Sequence, residues 1–224
     1  MKKSPIVILL IGIAFYACKK NEFRVCNDLL APCTGTQLGS YCLFGYKWGE
    51  QPQFEPNGIE AQGPQLPGGI ITYSFQNGTE KVSAHNRKRV TTLSFDEKGT
   101  CAREEIERAL IEYEKIGNFT FQAEEDDSNS SIRFFIADDE EANVGNANYQ
   151  DEQCSEIAGN VVFNNGPISN CHNFYILALH EVGHALGLGH VDSDNIMQVG
   201  RAKNSFDGLQ DGDIEGIIAI YGPK

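Results

Sequence analysis

Between positions 180 and 190 the chain reads His180-Glu181-Val182-Gly183-His184-Ala185-Leu186-Gly187-Leu188-Gly189-His190, the pattern HExxHxxGxxH. Four residues advance an α-helix by roughly 400°, so His180 and His184 project from one face, one turn apart. Their imidazoles can then reach one Zn²⁺ at about 2.0–2.1 Å. Residue 190 would fall on the wrong side of a continued helix, so the chain must turn sharply before it. Gly187 permits that turn, because a positive φ is cheap only for glycine. His190 then returns to the metal as a third ligand. Three neutral histidines leave a fourth position for water, as a catalytic zinc site requires. Glu181 is placed to meet that water. The rival reading is a core histidine pair beside a surface glutamate. Three of the chain's five histidines fall within these eleven residues, which favours the metal.

The amino terminus reads as an export signal. Met1-Lys2-Lys3 is basic and Ile6 to Ala17 is almost wholly apolar, a stretch too short for a comfortable membrane span. Phe15-Tyr16-Ala17-Cys18 resembles the lipobox of bacterial lipoproteins, in which cleavage precedes an acylated cysteine. Residues 1–17 are thus expected to be a lipoprotein signal peptide and Cys18 the lipid attachment; plain secretion is the competing reading. The chain has seven cysteines. Lipid on Cys18 leaves Cys26, Cys33, Cys42, Cys101, Cys154 and Cys171, an even number compatible with three disulfides in an exported protein.

Lys and Arg total 18 against 31 acidic residues, a net charge of −13. Loss of Lys2 and Lys3 with the signal moves the balance to −15. Such an excess disfavours nucleic acid, whose phosphates need cationic partners. A lipid, not a basic patch, would have to hold the protein at the membrane.

Residues 18–48 form a Cys-rich segment and 49–65 a Pro/Gly-rich linker, with Pro52, Pro56 and Pro64 inside it. Regular periodicity begins at Ile70. Strands are expected at 70–75, 119–122, 132–137 and 160–163, with an edge strand near 144–149. Helices are expected at 100–116, 173–186 and 211–220; Ile106, Leu110 and Tyr113 form an apolar stripe on the first.

The zinc motif resembles that of the metzincin peptidases, and Asn195-Ile196-Met197 is similar to their Met-turn. The best match within that clan is the matrixins. Leu209-Gln210-Asp211-Gly212-Asp213-Ile214-Glu215-Gly216-Ile217, followed by Tyr221-Gly222, is similar to the closing helix of their catalytic domains. The resemblance covers roughly residues 66–222. It implies an α+β zincin-like fold over 66–224: a twisted mixed five-stranded sheet with three helices, and a cleft between a larger N-terminal and a smaller C-terminal subdomain. Met197 would be an apolar floor under the zinc and Asp213 a support of the Met-turn. The first of the two acidic residues that open the family's closing helix is here Gly212, which puts in doubt the salt bridge that residue would make with a processed N-terminus. Val191 replaces the usual serine after the third histidine. No tyrosine lies two residues after Met197, so the tyrosine ligand of other metzincins is absent.

The resemblance implies a zinc endopeptidase in which Glu181 is the general base. A peptide or protein substrate would lie extended along the edge strand at 144–149, and 198–206 would wall the specificity pocket. A second, structural zinc is not expected, since His85 and His172 are the only spare histidines. Calcium sites are common in the family, but the acidic runs 124–127 and 138–141 lack a spaced calcium-loop pattern and read more simply as a solvated face. The segment around Cys26, Cys33 and Cys42 lacks the signature of a zinc-blocking prosegment. A monomer, lipid-anchored in the bacterial envelope, is expected. The competing function is a catalytically silent zinc-binding surface lipoprotein, an adhesin or inhibitor module; an intact Glu181 argues against it, since pure binding needs no general base.

Overall fold

The computed structural model describes residues 40–44, 46–48, 53–54, 69–83, 89–98, 100–125, 129–139, 144–149, 157–166, 171–198 and 206–224. The signal segment, Cys18 and most of the linker lie outside these residues.

Two short strands, β1 (Tyr46–Lys47) and β2 (Gln53–Phe54), pair antiparallel. The main sheet is built around β7 (Ile132–Ala137), in which Ile132, Phe134, Phe135, Ile136 and Ala137 are all buried. Such a near-continuous apolar run marks a strand covered on both faces. β3 (Gly69–Phe75) runs parallel to β7 on one side and to β6 (Phe119–Ala123) beyond it. β9 (Ile157–Asn164) runs parallel to β7 on the other side, in register from Ile132↔Gly159 to Ala137↔Asn164. β8 (Val144–Tyr149) pairs antiparallel with β9.

These are the five expected strands. A hairpin of β4 (Lys81–Ser83) and β5 (Arg89–Leu93) extends the sheet to seven by pairing with the end of β7 at Thr92↔Ala137. Its sequence gives little sign of strands. Val82 is the one buried residue of β4, and Val90 and Thr92 are those of β5, amid charged and hydroxyl neighbours. The hairpin is stitched locally, with Glu80 N donating to Thr92 Oγ1 at 2.8 Å.

Four helices cover the sheet and close the domain: α1 (Phe95–Lys98), α2 (Thr100–Glu114), α3 (Cys171–Ala185) and α4 (Asp211–Tyr221). The short α1 was not expected; Phe95 is its one buried residue, and Asp96 ties it to Asn77 and Arg103. The α2 stripe of Ile106, Leu110 and Tyr113 is buried, and Tyr113 Oη donates to Leu179 O of α3 at 2.8 Å. A column of rings ties α3 to the sheet: Phe75–Phe134 at 5.3 Å, Phe134–Phe163 at 6.5 Å and Phe163–Phe174 at 4.9 Å between centroids. Helix α3 is therefore held from two sides before any ligand chemistry begins. Beyond Ala185 the chain forms the smaller lower part, where α4 returns it to the sheet: Asn118 N donates to Gly222 O at 3.0 Å. No described helix is long and apolar enough to cross a membrane.

Candidate metal centre

Helix α3 delivers His180 and His184 one turn apart, as their spacing requires. Both are nearly buried, at 5% and 6% exposure, and Glu181 between them is 5% exposed. Gly187 has φ 108°, the left-handed region, and reverses the chain. His190 returns so that its Nε2 lies 3.1 Å from Nε2 of His180 and 3.0 Å from Nε2 of His184. Three nitrogens each about 2.0–2.1 Å from a tetrahedral ion would stand roughly 3.3 Å apart. The triad is close to that spacing.

The outward nitrogens decide what the inward ones can do. His180 Nδ1 donates to Ile196 O at 2.7 Å and His184 Nδ1 donates to Leu188 O at 2.8 Å. A proton fixed on Nδ1 leaves the Nε2 lone pair free and aimed at the common point. Among the described residues, His180, His184 and His190 are the one group of three His, Cys, Asp or Glu side chains arranged to hold a metal. Nitrogen donors in this number suit zinc.

Below the triad, Met197 is 2% exposed in a turn whose backbone is held by one carboxylate. Asp213 accepts from Ile196 N at 2.9 Å, Met197 N at 3.2 Å and Gln210 N at 2.9 Å. Burial pushes the Asp213 carboxyl above its ordinary range, and the three amide donors oppose that rise. The same carboxylate thus fixes the peptide that carries Ile196 O, the acceptor of His180. The turn can lie this close to α3 because residue 183 has no side chain. A Cβ on Gly183 would sit 2.6 Å from Met197 Sδ and 2.7 Å from Tyr113 Oη.

The matrixin family model matches residues 69–222. The chain belongs to the matrixin family. Its matched part is a metallopeptidase domain of a family that uses zinc, and among the described residues His180, His184 and His190 could hold it. No curated protein matches the chain.

Several expected features fall on other ground. Residues 199–205 of the expected pocket wall lie outside the described residues, as do His85 and parts of both acidic runs. In the described part of those runs, Glu124 accepts from Ser130 Oγ at 2.6 Å, an ordinary turn contact. The backbone of β8 forms an edge strand at 144–149, antiparallel to β9.

Sequence reading missed a group of residues that shape the matrixin site. Cys42, Leu43, Phe44 and Trp48 pack directly on the end of α3 and the turn that follows it. Leu43 forms an antiparallel bridge with Leu188, and Phe44 stacks on the His184 ring at 5.5 Å and 29°. A signal was there to be used. Leu43, Phe44, Tyr46 and Trp48, the only tryptophan, are too apolar for a simple stapled leader.

Proposed function

We propose that the protein is a zinc-dependent endopeptidase, lipid-anchored through Cys18 in the bacterial envelope. The carrying observation is the convergence of three Nε2 atoms whose Nδ1 partners are backbone carbonyls, with Glu181 adjacent on the same helix. His180, His184 and His190 would hold a zinc ion there, which would supply a Lewis acid for the scissile carbonyl and the attacking water. The chain supplies the rest. Glu181, nearly buried and next to His180, takes the water proton and delivers it to the leaving amine. The edge strand β8 aligns an extended peptide by main-chain hydrogen bonds. Asp213 and the Met197 turn hold the floor, so the ligands keep their geometry as charge develops.

The test is cleavage of an unfolded protein by wild type and by Glu181→Gln, with zinc content measured in both. Retained zinc and a loss of roughly 10²–10⁴-fold in kcat is expected. Equal rates would sink the mechanism. Zinc uptake with no cleavage by either protein, across a broad peptide library, would favour the silent binding module.

The anchor and the oxidised state belong to the same reading. Cys42 and Cys101 are disulfide-bonded, which supports a full set of three bridges among six cysteines in an exported chain. Lipid on Cys18 predicts a detergent-phase protein of increased mass, and Cys18→Ser should move it to the aqueous phase. Sedimentation should show a monomer.

A further inference from the structure

The last carbonyls of a helix have no acceptor role within it and must find donors elsewhere. Past α3 those donors can be followed one by one. Leu186 N takes Val182 O at 2.9 Å, Leu188 N takes Gly183 O at 2.9 Å and Gly187 N takes His184 O at 3.0 Å. The next carbonyls are met from far away. Trp48 Nε1 donates to Ala185 O at 2.7 Å, Tyr221 Oη to Leu186 O at 2.9 Å and Phe44 N to Gly187 O at 2.8 Å. Gly189 N in turn donates to Cys42 O at 2.9 Å. Trp48 is 3% exposed, and its backbone N donates to Tyr221 Oη at 3.3 Å. Burial pushes the Tyr221 phenol well up, so it keeps its proton as a donor.

The upstream end of this segment is fastened to the Met-turn side. Asn195 Nδ2 donates to Ser40 O, and Ser40 Oγ donates to Glu215 at 2.6 Å. Gly212 leaves the space into which the Ser40 carbonyl fits. Ser40 thus lies at the Met-turn, Cys42 to Phe44 against the turn 187–189, and Trp48 at the end of α3. Between those ends, Phe44 lies against one ligand ring and Leu43 pairs with Leu188, whose carbonyl holds that ring's Nδ1.

We propose that residues 40–44 together with Trp48 are a positioning strap of the metal site. Phe44 and Trp48 hold the His184 ring, and the turn that delivers His190, in the metal-binding arrangement. The strap lies outside the matrixin match, which begins at residue 69. The physical basis is preorganisation: groups that orient ligands are worth roughly 10–100-fold in metal affinity. The proposal rests on the zinc reading above and is tested so that the two fail differently.

The experiment measures zinc affinity by chelator competition, and the visible spectrum of the cobalt-substituted protein, on the full chain. Variants are Phe44→Ala, Phe44→Tyr and Trp48→Phe, with the exposed Ile111→Ala as a neutral surface control. Trp48→Phe keeps an aromatic ring, smaller than the indole, but removes the donor to Ala185 O, so it tests the strap even where Phe44→Ala folds poorly. Phe44→Ala and Trp48→Phe should weaken zinc binding by about 10-fold or more and alter the cobalt bands. Phe44→Tyr should restore both, and Ile111→Ala should change neither. A wild-type chain that takes up no zinc overturns the zinc reading and the strap together. Tight wild-type binding, with equal affinity and identical cobalt spectra in Phe44→Ala and Trp48→Phe, overturns the strap alone, even if their melting points fall.

Discussion

His180, Glu181 and His184 ride on one continuous helix, whereas His190 and Met197 sit on irregular chain held by groups far away in sequence. The first set takes its backbone positions from the period of α3 and the packing that locks it against α2 and the sheet; only the orientation of its two imidazoles depends on the turn, through Ile196 O and Leu188 O. The second set has no repeating backbone bonds. Its geometry is fixed by Asp213, by Tyr221 and by residues 42–44 and 48, at separations from 16 positions (Met197 to Asp213) to 147 (Gly189 to Cys42). A helix carries its own register, but a turn must borrow one. The helix-borne half should therefore keep its backbone positions when its surroundings change, and the turn-borne half, with the ring orientations that lean on it, should lose geometry when a distant partner is removed.

The sharpest way to break this contrast is Asp213→Ala. It deletes the acceptor of three backbone N–H groups, two of them in the Met-turn. Buried donors left without a partner cost about 1–3 kcal/mol each, so a loss of roughly 3–5 kcal/mol in urea unfolding is expected. Zinc affinity should fall with it, because Ile196 O would no longer be fixed beneath His180. A loss under about 1 kcal/mol would mean that the turn holds itself.

That dependence explains what could be read in advance. The three helices and five principal strands follow from periodicity, and the ligand triad from spacing and one glycine. The two helix ligands and Glu181 are local facts. The β4–β5 hairpin was not legible because it offers only Val82, Val90 and Thr92 to the interior. Residues 40–48 looked like part of a cysteine-rich leader because their partners, Ala185 to Gly189, lie more than a hundred positions away. Long-range pairing of a short irregular segment leaves no period. It left only composition, in Phe44 and Trp48. Asp213 was legible solely through the resemblance of α4 to the matrixin closing helix; nothing about an acidic residue in a helix's first turn says which distant amides it will meet.

On the helix side, Gly183→Ala should be the costly change, although alanine has the higher helix propensity. Its Cβ would press on Met197 Sδ and Tyr113 Oη, both in well-packed surroundings. Overpacking of this kind costs about 1–3 kcal/mol, which differential scanning calorimetry would register as a lower Tm. A raised Tm would show that the Met-turn can retreat, and that the two halves are less tightly coupled than the contacts imply.

Tyr221→Phe probes a single tie and should act more mildly, by about 1–2 kcal/mol in chemical unfolding. It strands Leu186 O and the backbone N of Trp48 while keeping the ring that packs on Phe119. If the loss is instead near zero, water reaches the end of α3, and the strap is looser than its hydrogen bonds suggest.

The smallest effect concerns the charge on Asp213. Burial raises its folded pKa above the ordinary 3.8, and the three amide donors only partly offset that rise. The folded state therefore holds this proton more tightly than the unfolded chain does. Its contribution to stability is fully present below about 3.8 and is lost as pH rises through the folded pKa. Asp213→Asn cannot titrate, so the stability gap between wild type and variant isolates this group. Chelator in both samples removes any contribution from metal release. The gap should move against the wild type as pH rises above 3.8, then level off once the carboxyl has ionised in the folded protein. A gap that moves the other way, favouring wild type as pH rises, would mean that the amides of Gln210, Ile196 and Met197 outweigh burial. The Met-turn would then be held mainly by a charge, and the borrowed half of the site would weaken in acid before the helix does.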